Sequence, residues 1–221
     1  MIEIRKTDDG SNTLFVPELN EHYHSSHGAV QESMHVFIDV GFNFISGNNT
    51  HINILEVGFG TGLNALLTLL HSTNKTIFYH GIEAYPVSKE ITGQLDYPGF
   101  LKDENAINLF EKMHQVKWNE DSTTTENFTL RKEKAKIEEV MLETDKYNLV
   151  YFDAFAPDVQ PELWAGEIFR KLFNAMKPGG VLVTYSSKGL VKQNLRAAGF
   201  EVKRLCGPPG KRHIVRAAKS G

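Results

Sequence analysis

Cysteine is nearly missing from this chain of 221 residues: Cys206 stands alone and excludes an intrachain disulfide. A reducing, cytoplasmic setting is the expected one. Cys206 has no obvious activating partner and reads as a core residue. Long apolar runs are missing too. No stretch approaches the roughly 20 residues that span a bilayer, and the opening Met1-Ile2-Glu3-Ile4-Arg5-Lys6 lacks the apolar core of a secretory signal. No membrane partner is expected. Repeats and low-complexity segments are absent. The nine histidines are scattered, with no pair at metal-ligand spacing beside a carboxylate or cysteine, so no metal site is expected. His22, His24 and His27 read as solvated loop residues, and Trp118 and Trp164 as core.

What is present is an ordinary globular composition, 41% hydrophobic and 23% charged, of a size for one domain or one domain with an appendage. The charge is unevenly spread. From Lys188 to the end, nine basic residues face the single Glu201, a net +8 on a chain whose formal charge is −3. A basic segment on an acidic body suits a phosphate-facing surface; a solvated C-terminal subdomain is the alternative.

Along the chain, a short hairpin ends at Phe15-Val16-Pro17. Ser25 or Ser26 then caps a helix whose apolar face is Val30, Met34, Phe37, Ile38, Gly41 and Ile45. Residues 1–46 are thus read as an N-terminal extension. After Gly47-Asn48-Asn49 the main domain, 47–221, begins its alternation. Strands are expected at Ile52–Val57, Ile77–Ile82, Phe128–Arg131, Tyr147–Phe152, Val181–Tyr185, Phe200–Leu205 and His213–Ala217. Helices fall at Leu63–His71, through 86–122 with a break at Tyr97-Pro98-Gly99, from the third strand through Leu142, at Pro161–Met176 and at Gly189–Ala198. This alternation gives an α/β, Rossmann-like fold: a mainly parallel seven-stranded sheet with helices on both faces. The short Gly207-Pro208-Pro209-Gly210 loop makes the final pair antiparallel.

Two strand ends carry chemistry. Glu56-Val57-Gly58-Phe59-Gly60-Thr61-Gly62 follows the first strand of the main domain and opens a helix, where glycines let backbone approach a ligand and free N–H groups await it. The spacing is G-x-G-x-G, without the third glycine of the dinucleotide G-x-G-x-x-G, and suits a ligand with an amino-acid end and no pyrophosphate. Glu83, 21 residues beyond Gly62, closes the second strand where a carboxylate accepts from both ribose hydroxyls. Asp153-Ala154-Phe155-Ala156-Pro157 follows the fourth. It is similar to the D/N-P-P-Y loop of enzymes that methylate amino groups: Asp153 can accept from an amine and orient its lone pair, and Phe155 can wall the transfer channel.

Four stretches together resemble the methyltransferase half of the bifunctional tRNA 5-methylaminomethyl-2-thiouridine biosynthesis proteins, in a stand-alone form. They are Ser26–Phe37 (S-x-x-G-x-x-E-x-x-x-V-F), Glu56–Asn64 (E-x-G-F-G-T-G-L-N), Phe152–Pro157 followed by Pro161-Glu162-Leu163-Trp164 (F-D-x-F-A-P…P-x-x-W), and the run from Gly179-Gly180 through Tyr185-Ser186 to the Gly207–Arg212 turn. The resemblance is weakest over 86–145.

This resemblance implies a class I methyltransferase using S-adenosyl-L-methionine on the aminomethyl group of a tRNA wobble uridine. Glu56, Gly58, Phe59, Gly60, Thr61, Gly62, Glu83 and Asp153 become the expected cofactor contacts, and Asp153 and Phe155 the catalytic pair. Glu32, Lys188, Lys211 and Arg212 become the expected contacts to substrate or RNA. Two departures stand out. Where the family often carries an acidic residue after the third strand, this chain has Lys134-Ala135-Lys136, and no room remains after Gly221 for the fused FAD-dependent oxidase. Three rival readings stay open on the sequence: transfer of a methyl or aminopropyl group to a small amine, an NAD-binding oxidoreductase, and a non-catalytic tRNA-binding protein on this fold, against which the intact glycine loop and Asp153 stand.

Overall fold

The computed structural model describes residues 2–47 and 49–221; Met1 of the opening segment and Asn48 of the expected Gly47-Asn48-Asn49 break lie outside them. Strands β1 (Glu3–Lys6), β2 (Asn12–Val16) and β3 (Glu21–His22) form a small antiparallel sheet. One helix follows, α1, running from Ala29–Ser33 through π-helical Met34–Phe42 to Asn43–Ser46. Its N-cap is Gly28 rather than Ser25 or Ser26. The wider π turn shows where the Asn43 N–H reaches back five residues to the Ile38 carbonyl. At Gly41 an added Cβ would stand 2.9 Å from Val183 Cγ2, so glycine is what lets α1 lie against the sheet.

The main sheet has eight strands in the order β10-β11-β9-β8-β4-β5-β7-β6. Five form its parallel centre: β7 (Phe128–Glu133), β5 (Thr76–Ile82), β4 (His51–Val57), β8 (Tyr147–Phe152) and β9 (Met176–Thr184). On one side β11 (His213–Ala218) lies antiparallel between β9 and β10 (Glu201–Cys206). On the other, β6 (Asp121–Thr125) runs antiparallel to β7. The strand count is therefore eight rather than seven. The extra strand is polar Asp-Ser-Thr-Thr-Thr, an edge held by its backbone ladder, with no apolar alternation to announce it.

Two cores sandwich the sheet. Leu149 and Tyr151 of β8 face one core, shared with α1 and α2 (Leu63–His71), while Val150 and Phe152 face the other, shared with α6 (Gly166–Ala175) and α7 (Gly189–Ala198). Leu63, Leu66, Leu67 and Leu69 of α2 are all buried, each contributing about 1.5–3 kcal/mol, which outweighs helix propensity. The stretch 86–122 holds α3 (Lys89–Thr92), α4 (Tyr97–Leu101) and α5 (Glu104–Gln115). Tyr97-Pro98-Gly99 starts α4 rather than interrupting a helix, because proline costs nothing in a first turn.

Two expected helices differ. The segment 134–146 is turns and extended chain, with Ile137 and Val140 buried against the second core and Met141 exposed. Pro161–Trp164 is a 3-10 turn that breaks at extended Ala165 before α6, and β9 already begins at Met176. Cys206 is exposed on edge strand β10, not in the core.

Candidate active site

The order of strands reverses at β4, flanked by β5 on one side and β8 on the other, and ligands of open α/β sheets bind outside the carboxyl ends at such a point. A cavity of about 520 Å³ opens there, within the range of cofactor sites. Its floor is the turn after β4. Gly58, Gly60 and Gly62 take φ values of +90°, +51° and +77°, a region that disfavours residues bearing a Cβ. The Gly58 and Phe59 N–H groups both donate to the Ile82 carbonyl at 3.0 Å, tying the turn to β5. A Cβ on Gly58 would stand 2.5 Å from the Asp153 carbonyl oxygen; glycine allows the two strand ends to close.

Glu83, at the end of β5, accepts from the Gly60 N–H at 2.9 Å and from the Tyr85 N–H at 2.9 Å. Both bonds come from backbone, so the carboxylate is oriented before any ligand arrives. Asp153 follows β8, its own N–H donating to Val57 at 2.9 Å. The rest of its loop is pinned by side chains: Trp164 Nε1 donates to the Phe155 carbonyl at 2.8 Å and the Tyr185 hydroxyl to the Ala154 carbonyl at 2.8 Å. Burial, with Glu32 adding repulsion, pushes the Asp153 carboxyl up to about 7, while a hydrogen bond from Asn64 opposes the rise. Phe155 packs edge-on against Tyr23 at 5.1 Å between centroids, so the N-terminal sheet supplies a wall of the site.

The structure brings Gly58, Phe59, Gly60, Thr61, Glu83, Asp153, Phe155, Glu32 and Lys211 around one cavity. Others stand apart. Glu56 is fully buried behind the turn, accepting from Asn64 Nδ2 and from the Tyr79 hydroxyl, both at 2.8 Å. Burial raises its carboxyl well above the usual range. Gly62 caps α2. Lys188 is exposed and paired with Asp158, and Arg212 is exposed and does not line the cavity.

Sequence reasoning passed over several wall residues. Asn64, quoted in the glycine motif without a role, donates to both Glu56 and Asp153, and its buried Oδ1 has no partner. His24 lines the cavity with its Nδ1 buried, rather than sitting in a solvated loop. Glu138, two residues past Lys136, lies on the same wall; reading that segment as a helix hid it. The unpartnered Asn64 oxygen and the carboxylates of Glu83 and Asp153 suit a ligand rich in N–H and O–H donors, which S-adenosylmethionine presents in its ammonium and ribose.

A parallel sheet closed by an antiparallel β9–β11–β10 ribbon, with an adenosyl-sized crevice at its switch point, defines a class I methyltransferase fold. The sequence model of an S-adenosyl-L-methionine-dependent methyltransferase family matches residues 102–220, more than half of the chain, and the chain belongs to that family. It is an enzyme using S-adenosyl-L-methionine, and the NAD-oxidoreductase reading is set aside. The chain is 28% identical over 227 residues to the tRNA 5-methylaminomethyl-2-thiouridine biosynthesis bifunctional protein MnmC of Cupriavidus metallidurans, covering 95% of this chain and 32% of that protein. For MnmC of Actinobacillus pleuropneumoniae the identity is 27% over 240 residues, covering 94% and 34%. The chain thus spans about a third of the length of the curated relatives it matches. The crystal structure of MNMC2 from Aquifex aeolicus matches with a TM-score of 0.83 at 27% identity, covering 100% of this chain and 72% of that one. Spermidine synthase from Thermotoga maritima shares the fold, with a TM-score of 0.61 at 13% identity, over 100% of this chain and 73% of that one. No helix among the described residues is long and apolar enough to cross a membrane.

Proposed function

We propose that this methyltransferase methylates the primary amine of a 5-aminomethyl-uridine at the tRNA wobble position. The observation that carries the reading is Asp153: a carboxyl on the cavity wall, oriented by Asn64 at 2.9 Å, with a proton affinity near neutrality. The printed names of the MnmC relatives supply the nucleoside class.

When bound, S-adenosylmethionine supplies a methyl group already activated by its sulfonium. The chain's own task is then to present an unprotonated nitrogen and keep water away. An aminomethyl group arrives as ammonium. Asp153 takes one of its protons, freeing the nitrogen lone pair, and later releases that proton to solvent; the product leaves as a secondary ammonium. An acceptor with a pKa near 7 is suited to this exchange at neutral pH. Gly58, Phe59, Gly60, Thr61 and Glu83 hold the cofactor in this reading, with Gly62 shaping the turn and Glu56 bracing Asn64 from behind. Phe155 and Tyr23 wall the channel. Arg212 and Lys188 lie outside the cavity, where contact with RNA phosphates is their role.

The test is transfer of label from S-adenosylmethionine to tRNA bearing aminomethyl-uridine, with unmodified tRNA as control. Incorporation only into the modified tRNA is expected. Measured cofactor binding without incorporation would return the acceptor to small amines.

A further inference from the structure

Lys211 does not extend towards solvent with its neighbour Arg212. Its ammonium turns into the cavity, pairs with Glu32 and lies 4.3 Å from the centroid of the Tyr185 ring. The two partners are 179 residues apart in the chain. Glu32 is the fixed member: its side chain is 8% exposed, and its second oxygen accepts from the Ser25 N–H at 2.9 Å. Lys211 is the movable one, 28% exposed, on a four-carbon stem that leaves the Gly207–Gly210 turn.

We propose that Glu32 and the Tyr185 ring, beside Asp153, form a subsite for a primary ammonium group, and that the Lys211 ammonium occupies it until a substrate amine displaces it. The inference rests on the reading that the acceptor is a primary amine. The chemistry matches atom for atom, since the Cε–Nζ end of lysine is a CH2–NH3 cation, as is the end of an aminomethyl group. A carboxylate with one oxygen already held by backbone keeps its place when the lysine leaves. The aromatic face adds a cation–π attraction. Leaving Glu32 buried and unpaired is costly, so whatever displaces Lys211 must itself be a cation. A hydroxymethyl or unmodified uridine brings none, and the ion pair then stays closed. In this way the pair selects for the amine before Asp153 acts on it.

The experiment reads thermal stability without RNA. Lys211→Met leaves Glu32 without its cation. Ethylammonium chloride is expected to raise the Tm of this variant by several degrees over equimolar tetramethylammonium chloride, and to do so neither in the wild type nor in E32Q/K211M. An equal effect of the two salts on K211M would overturn the subsite. A K211M protein of unchanged Tm, with only a shallower salt dependence of tRNA binding, would make Lys211 a phosphate contact and overturn it as well. Should K211M not fold, Glu32→Gln decides. It is expected to raise KM for aminomethyl-bearing tRNA at least tenfold, with cofactor affinity by calorimetry unchanged; an unchanged KM sinks the proposal. Failure of the proposed function is seen separately, as absence of methyl transfer by the wild type.

Discussion

Asn64 holds Asp153 in place from the first turn of α2: its Nδ2 stands 2.9 Å from Asp153 Oδ2 and, on the other side, 2.8 Å from Glu56 Oε1. One amide therefore serves two carboxyl groups, one fully buried and one on the cavity. Asn64→Ala removes the donor from both. Leaving a buried polar group unsatisfied costs about 1–3 kcal/mol, so denaturant unfolding should show a loss of that order. The bond from Asn64 lowers the Asp153 pKa from where burial alone would put it. Without it the carboxyl stays protonated to higher pH, and the acid limb of the rate profile should move up from about 7. A variant with full stability and an unmoved profile would refute this account of Asn64.

The glycines of the turn are not equivalent. At Gly58 a Cβ meets backbone, the Asp153 carbonyl oxygen at 2.5 Å, with φ at +90°. At Gly60 it meets the Tyr23 ring at 3.1 Å, with φ at +51°, and a ring can tilt where a strand end cannot. Gly58→Ala should cost several kcal/mol once the steric clash is added to the left-handed strain of about 1–2 kcal/mol, and should abolish cofactor binding. Gly60→Ala should fold with a smaller loss of Tm. Calorimetric titration with S-adenosylmethionine and thermal melts test the ordering, and equal losses at the two positions would contradict it.

Much of this was legible in the chain because the relevant signals are local. Tyr147–Phe152 is apolar on both faces apart from Asn148 and reads as a buried strand, and a strand running into a glycine-rich turn before a helix marks a ligand turn. The missed features depend on contacts distant in sequence. Asp121–Thr125 becomes a strand only because β7 offers an edge. Ile137 and Val140, three apart, imitate a helix face while serving as two plugs of an extended loop. His24 and Lys211 sit in polar loops whose composition implies solvent. Lys211 turns inward to pair with Glu32 of α1, a residue 179 positions away, and His24 lines the same cavity. Direction of a loop side chain is a tertiary property, which no spacing encodes.

Glu83 offers a cleaner test of the cofactor pocket than the glycines do. Its carboxylate is oriented by two backbone donors, so replacing it leaves no buried side chain without a partner. Hydrogen bonds to a charged group contribute about 1.5–3 kcal/mol each. Glu83→Gln, which keeps one acceptor oxygen, should weaken S-adenosylmethionine binding roughly tenfold, and Glu83→Ala by a hundredfold or more. Glu83→Ala should also lower the Tm without cofactor, because the Gly60 and Tyr85 N–H groups lose their acceptor, so affinity is read well below the melting range. Wild-type affinity in the alanine variant would remove Glu83 from the binding site.

Three histidines are expected to make the fold sensitive to mild acid. Burial pushes His24, His80 and His114 each down to about 4 from an ordinary value of 6.5. At His80 burial wins although Glu133, 2.9 Å from the ring, favours the charged imidazole and opposes the shift. Between pH 6.5 and 4 the unfolded chain binds protons at these rings that the native protein does not. Their contribution to stability is present above 6.5 and is lost as pH falls towards 4. Asp153 acts in the opposite sense, because its native pKa of about 7 lies above its ordinary 3.8, so its proton favours the folded state as pH falls. Urea unfolding should show lower stability at pH 5 than at pH 7, and Asp153→Asn, which removes the opposing contribution, should steepen that loss. In the native protein the three imidazole NMR signals should not titrate between pH 8 and 5.5. A midpoint near 6.5 for any one of them would show that its ring is open to water and takes no part in the acid sensitivity.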